Sequence, residues 1–169
     1  MNVQKERNNI DLFLSLTGDL LADDTVRSMT QYRHHGDVTT HRHSVYVSYT
    51  VMRLCRNMTE ADMRPIVRAS LLHDFYLYEW YTEKHEENHI WYHPKQSLKN
   101  IEQHFSALSP MQRNMVLSHM FPLAHEAPAS RGAWTLTLAD KYCASADYLK
   151  LSDLFLPVYR EINRRVDLL

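Results

Sequence analysis

Three glycines in 169 residues set the first limit on this chain. A Gly-rich phosphate loop or a dinucleotide fingerprint takes two or three glycines at fixed spacing, so neither fits. Only 6 prolines accompany them. With so few turn formers, long helices joined by modest loops are the expected architecture. Apolar residues recur at helical spacing, and no segment shows sustained strand alternation. The fold class read from the residues is all-α.

The periodicity predicts a helix over about 8–22, with Ile10, Leu12, Phe13, Leu16 and Leu20 on one broad face. A short helix over about 24–32 and a loop over RHHGDVTT (33–40), punctuated by Gly36, follow. The next helix spans about 41–57, striped by Val45, Ser48, Tyr49, Met52 and Cys55. Thr59 to Asp62 has capping-box-like spacing for a helix over about 60–78, although Pro65 moves its expected start to about 63. Residues 80–92 read as a loop, and His93-Pro94 as the opening of a helix over about 93–106. Ser109-Pro110 is a cap and first-turn pair for a helix over about 110–120. After a loop at 122–130, helices over about 130–150 and 151–167 close the chain, with Pro157 expected to kink the last.

The length suits a single domain over 1–169. Lys and Arg number 19 against 20 Asp and Glu, a net charge of −1, which argues against a general nucleic-acid binder. No apolar run reaches the roughly 18 residues of a membrane span. The first residues, MNVQKERNNIDLFLSL, are too polar for a signal peptide. Cys55 and Cys143 show no CxxC spacing, so a reducing, cytoplasmic setting is the expectation.

Against this plain background stand 11 histidines, about one residue in fifteen. His73 and Asp74 sit together at the end of an apolar segment, RASLLHDFYLYEW, where Ile66, Ala69, Ser70 and His73 fall at i, i+3, i+4 and i+7. Two adjacent ionisable groups in apolar surroundings need partners. A hydrogen-bond network would serve, and so would a divalent metal, which takes a neutral imidazole and a charge-offsetting carboxylate. His43 opens the Val45/Ser48/Tyr49/Met52 face, and Asp140 shares a face with Leu136, Ala139 and Cys143. The order is then His43, His73-Asp74, Asp140.

That order resembles the HD-domain metal-dependent phosphohydrolases, whose signature is H…HD…D. The matching pieces are HSVYVS (43–48), LLHD (71–74) and LADKY (138–142), and the likeness spans about residues 31–150. It implies a compact helical bundle with metal at its centre, and N- and C-terminal helices packed on that core. The chain is most similar to a bacterial branch with HP and HM-PL segments, here His93-Pro94 and HMFPL (119–123). By resemblance one ion takes His43, His73, Asp74 and Asp140, and a second takes Asp74 as a bridge with His93 and His119. Two such ions share a water that becomes the nucleophile. His93 read by itself also fits a helix cap, and His119 a helix end, where the dipole favours a cation. Ser118 and Met120 flank His119, so the histidine pair of some dinuclear phosphodiesterases is missing. The GYP motif is missing too, which disfavours cyclic-di-GMP as substrate.

Lys141, directly after Asp140, is a candidate for a phosphate oxygen. Lys95 and Arg131 are weaker ones, and His35 resembles a segment near the site. Asp74 orients the attacking water, and Glu79 is a candidate proton donor. Phe75, Tyr76, Tyr78, Trp80, Tyr81, Trp91 and Tyr92 suit either core packing or a pocket wall for a flat group. His34, His41, His85, His89, His104 and His125 fall in surface or loop positions. The function implied is hydrolysis of a small phosphorylated metabolite, a nucleotide above all, as a phosphomonoester or phosphodiester. A di-iron oxygenase and a non-catalytic metal- or nucleotide-binding signalling domain are the alternatives. Fe, Mn, Ni and Zn all suit such ligands. No membrane partner is expected, and homo-oligomerisation stays open.

Overall fold

The computed structural model describes residues 3–168. Eight α-helices make up about two thirds of it: α1 Val3–Ala22, α2 Asp24–Ser28, α3 Thr40–Leu54, α4 Glu60–Leu71, α5 His89–His104, α6 Pro110–Ser118, α7 Arg131–Tyr148 and α8 Leu156–Val166. Single 3₁₀ turns follow α2 at Met29–Gln31 and precede α8 at Leu151–Phe155. The all-α reading holds, with one small exception. The expected loop at 33–40 contains a two-stranded antiparallel hairpin, β1 Arg33–His35 and β2 Val38–Thr39. Gly36 turns it with φ +57, a left-handed conformation that costs an L side chain energy.

The α3 helix is the central strut. Thr39 caps it, its hydroxyl accepting from Arg42 N at 3.2 Å. Its side chains are buried on nearly every face, Val45, Val47, Val51 and Met52 among them. It packs on α4 and α7, while α6 packs on α7, and α1 on α4 and α8. Phe13 and Leu16 of α1, Ile66 and Val67 of α4, and Leu136 and Cys143 of α7 complete one continuous core. Gly132 lets the first turn of α7 come close, because a Cβ there would stand 3.2 Å from Ile66 Cγ1.

Several boundaries differ from those the sequence predicts. The first helix starts earlier, at Val3. The fourth starts at Glu60, with Thr59 as its cap, so Pro65 is accommodated inside it rather than delaying it. It also ends at Leu71, not near 78, and His73 and Asp74 lie in the turn that follows. The fifth starts at His89, four residues before His93, because Asn88 caps it by accepting from Ile90 N at 2.9 Å. Pro157 does not kink the last helix; it sits in the first turn of α8, where its missing N–H costs nothing.

The segment after Asp74 is held from outside. Asn100 of α5, buried, donates from Nδ2 to the carbonyls of Phe75 and Tyr76, each at 2.9 Å. Asn100→Ala is expected to destabilise the protein by about 2–3 kcal/mol, since it leaves buried acceptors unpaired. Urea unfolding checks this by a lower midpoint at unchanged slope.

Candidate metal centre

Five segments deliver their side chains to one buried place. The first turn of α3 supplies His43, the turn after α4 supplies His73 and Asp74, and α5 supplies His93. The C-cap of α6 supplies His119, and α7 supplies Asp140. None is more than 5% exposed, so bulk water does not solvate them.

Hydrogen bonds to the main chain fix which nitrogen of three rings is bare. His73 Nδ1 donates to Ser70 O at 2.8 Å, His93 Nδ1 to His89 O at 2.8 Å, and His119 Nδ1 to Val116 O at 2.7 Å. A carbonyl only accepts, so each Nδ1 carries the hydrogen and each Nε2 presents a lone pair in the neutral ring. These lone pairs converge. His93 Nε2 and His119 Nε2 lie 2.8 Å apart, a contact that two bare nitrogens cannot make as a hydrogen bond. Asp74 Oδ1 stands 3.4 Å from the first and 3.5 Å from the second, with no hydrogen-bond partner of its own. Three electron-pair donors aimed at one point repel one another, and a cation between them removes the repulsion.

The other side of Asp74 repeats the pattern with different donors. His43 Nδ1 donates to Asp147 Oδ2 at 2.7 Å, which turns Nε2 toward Asp140 Oδ1, 3.1 Å away. His73 Nε2, buried without a partner, lies 3.4 Å from Asp74 Oδ2 and 3.6 Å from Asp140 Oδ1. Asp74 therefore presents Oδ1 to the His93/His119 pair and Oδ2 to the His43/His73/Asp140 group. Both His43–His73–Asp140 and His73–Asp74–His119 have ligand atoms close enough to share one ion.

Burial opposes charge on His43, Asp74, His93 and Asp140. At His43 the carboxylates of Asp140 and Asp147 outweigh burial and lift the pKa from 6.5 to about 10. Asp74 is likewise penalised by burial, yet His73, His119 and His34 hold its pKa well below the usual carboxylate value. His43 and His73 do the same for Asp140 against its own burial. His93 is pushed well below 6.5, chiefly by burial, which keeps it in the neutral ligand form. An ion at the His43 side must displace the proton that His43 otherwise holds. Apparent affinity there is expected to rise about tenfold per pH unit between about pH 6 and 8, with about one proton released. Calorimetry in two buffers of different ionisation enthalpy checks it.

Some residues prominent here lack a signal in the sequence pattern. His34, placed by that pattern among surface and loop histidines, is buried on the hairpin. Its Nε2 lies 3.0 Å from Asp74 Oδ2, and its ring stacks on His43 with centroids 3.7 Å apart. Its carbonyl accepts from Trp80 Nε1 at 3.2 Å and from the Tyr81 hydroxyl at 3.1 Å, which clamps the strand in place. His34→Ala is expected to weaken metal binding about tenfold or more by freeing Asp74, with His34→Gln recovering part. Competition with a fluorescent chelator reads it. Asp147 did leave a trace: it lies seven residues after Asp140, on the same face of an apolar helix. His41 is also buried rather than exposed, its Nδ1 2.9 Å from the Tyr159 hydroxyl between α3 and α8. His85 is half-buried, stacked on Tyr92, while His104 and His125 are exposed as expected.

A cavity of about 390 Å³ opens above the centre, with Asp74, His93, His119 and Asp140 at its floor. His35 and His89 line it, each with a pKa lowered to about 4, mainly by burial. Lys141 lines it too, its Nζ donating to His119 O at 2.7 Å and to Asp140 Oδ2 at 3.2 Å. Lys95 does not reach this space; it is exposed and paired with Glu87 at 2.7 Å on the outer face of α5. Arg131 is exposed at the start of α7. Glu79 faces the hairpin, where it accepts from Arg33 N at 3.4 Å, and is not a lining residue of the cavity. Of the aromatic stretch, Trp80 lines the cavity, while Phe75 and Tyr76 are core. A larger groove, about 600 Å³, is lined by Tyr46, Tyr142, Leu149 and Leu154 and holds none of the candidate ligands.

The helical scaffold thus encloses a buried His/Asp cluster with room for a metal ion. The HD domain family model matches residues 40–145, and the chain belongs to that family. The family consists mostly of metal-dependent phosphohydrolases, and the matched span holds all six candidate ligands but neither His34 nor Asp147. No curated protein and no solved structure matches the chain. Among the described residues, no helix is long and apolar enough to cross a membrane.

Proposed function

We propose that this chain is a metal-dependent phosphohydrolase acting on a small phosphorylated metabolite. One observation carries the reading: Asp74 stands between two convergent sets of bare donors, one on each carboxylate oxygen. Ions held there, by His43, His73, Asp74 and Asp140 and by His93, His119 and Asp74, would acidify water and neutralise phosphoryl oxygens. The donor chemistry fits: His73, His93 and His119 turn Nε2 toward Asp74 with Nδ1 bonded to the main chain, and buried histidines hold the pKa values of Asp74 and Asp140 well below the usual carboxylate value.

The protein's own groups complete the arrangement. Asp147 holds His43 in its ligand tautomer and His34 steadies Asp74. Lys141 donates to His119 O and Asp140 Oδ2, with a weak contact to Met120 Sδ at 3.9 Å that a phosphoryl oxygen in the cavity would replace. Hydrolysis consumes one water. Its oxygen bonds to phosphorus, the bond from phosphorus to the ester oxygen breaks, and that oxygen leaves with a proton from the water.

Elemental analysis of protein purified without chelators, followed by a phosphate-release screen over nucleotides and sugar phosphates, tests the reading. About two ions per chain with metal-dependent release supports it. A dioxygen-dependent absorption band on a di-iron form would favour an oxygenase instead. A phosphate ester bound tightly and never cleaved by fully loaded protein would favour a signalling domain.

A further inference from the structure

The cavity above the metal centre carries charge almost solely at its floor. Two ring pairs stand in its walls: Trp80 stacks on His89 at 4.7 Å and 14°, and His35 lies against Tyr148 at 4.3 Å and 31°. His89 stacks in turn on His93 at 4.5 Å, so aromatic surface runs continuously from Trp80 down to a candidate ligand. Ile90, Met120 and Leu123 fill the space between with apolar surface. Lys141 is the only lysine or arginine among the described residues that lines the cavity, and its bonds to His119 O and Asp140 hold it at the floor, where the single phosphoryl group sits.

We propose, resting on the phosphohydrolase reading, that this cavity selects phosphomonoesters whose leaving group is a flat, uncharged ring system and rejects the corresponding di- and triphosphates. One phosphoryl group meets its countercharge at the floor. A second or third would lie against Trp80, Ile90 and Leu123 with no cation to pair it, and charge set against apolar surface without a partner is disfavoured. A flat ring instead covers the apolar walls. Water's oxygen bonds to the single phosphorus, the ester bond breaks, and the neutral alcohol departs with one proton from that water.

The test uses the full chain loaded with metal and three probes: adenosine 5′-monophosphate, adenosine 5′-triphosphate and ribose 5-phosphate. Phosphate release from the monophosphate is expected to exceed that from the triphosphate by about a hundredfold in kcat/KM. It is expected to exceed that from the sugar phosphate about tenfold, a ring-stacking effect. Tyr148 is 70% exposed, so Tyr148→Ala spares the core. That variant should raise KM for the monophosphate about tenfold while moving KM for ribose 5-phosphate about twofold or less. Leu123→Lys supplies the missing cation on a side chain that is 57% exposed, and should raise kcat/KM for the triphosphate about tenfold. Calorimetric binding of the uncleavable 5′-methylenephosphonate analogue of the monophosphate should follow the KM changes. Equal cleavage of mono- and triphosphate by the unmodified protein overturns the inference. So does a Tyr148→Ala effect that is the same for both monoesters. If no ester is cleaved with two ions bound, the phosphohydrolase reading fails, and calorimetric ranking of the phosphonate against the triphosphate still decides the selectivity.

Discussion

Asp74→Ala is expected to bind neither ion and to lose phosphate release by at least about a thousandfold, some 4 kcal/mol in the barrier. The reason is the division of its carboxylate. Oδ1 is 3.4 Å and 3.5 Å from the bare nitrogens of His93 and His119, while Oδ2 is 3.4 Å from that of His73. Removing one side chain therefore opens both donor sets. Asp140 contacts the His43 and His73 side, and Asp140→Ala should lose one ion and keep the other. Elemental analysis of the two variants checks the contrast. Two ions retained by Asp74→Ala would sink the shared-carboxylate assignment, and metal-dependent turnover retained in that variant would sink the role given to Asp74 in the reaction.

Chelation of the unmodified protein is expected to lower its melting temperature by about 10 °C. A ligand present at about a thousand times its dissociation constant stabilises the folded state by about 4 kcal/mol, and each kcal/mol moves a chain of this size about 2–4 °C. The source of the effect is local. His73 Nε2 and Asp74 Oδ1 are buried without a hydrogen-bond partner, and the His93 and His119 nitrogens face each other bare. An ion turns these liabilities into bonds. Thermal melts with and without chelator read the shift, and Asp74→Ala should show almost none.

How far the site is legible in the sequence depends on where each residue stands. His43 and Asp140 lie inside helices, and a helix writes its buried face into the spacing of Val45, Ser48 and Met52 or of Leu136, Ala139 and Cys143. The helical reading fails just after Leu71. No glycine or proline marks that end; the chain turns there with His73 bonded back to Ser70 O, and Leu77 takes a positive φ of 55° that sequence alone would assign to glycine. His93 is displaced from helix opening to helix interior because Pro94 imitates a first-turn proline while Asn88 is the true cap. The resemblance placed His93 in the centre where periodicity did not. His34 has no periodic signal at all, since a strand of three residues is too short to show one. Its role comes only from the hairpin's approach to Asp74.

The tautomers of His73, His93 and His119 are set by carbonyls of the main chain, whereas that of His43 is set by the side chain of Asp147. The two halves of the centre therefore differ in mutational robustness. No substitution of a neighbouring side chain can take away the acceptors at Ser70, His89 and Val116, because every residue type carries a carbonyl. The His43 half hangs on a single replaceable carboxylate, so sequence drift can silence that half while the His93 and His119 half keeps its aim.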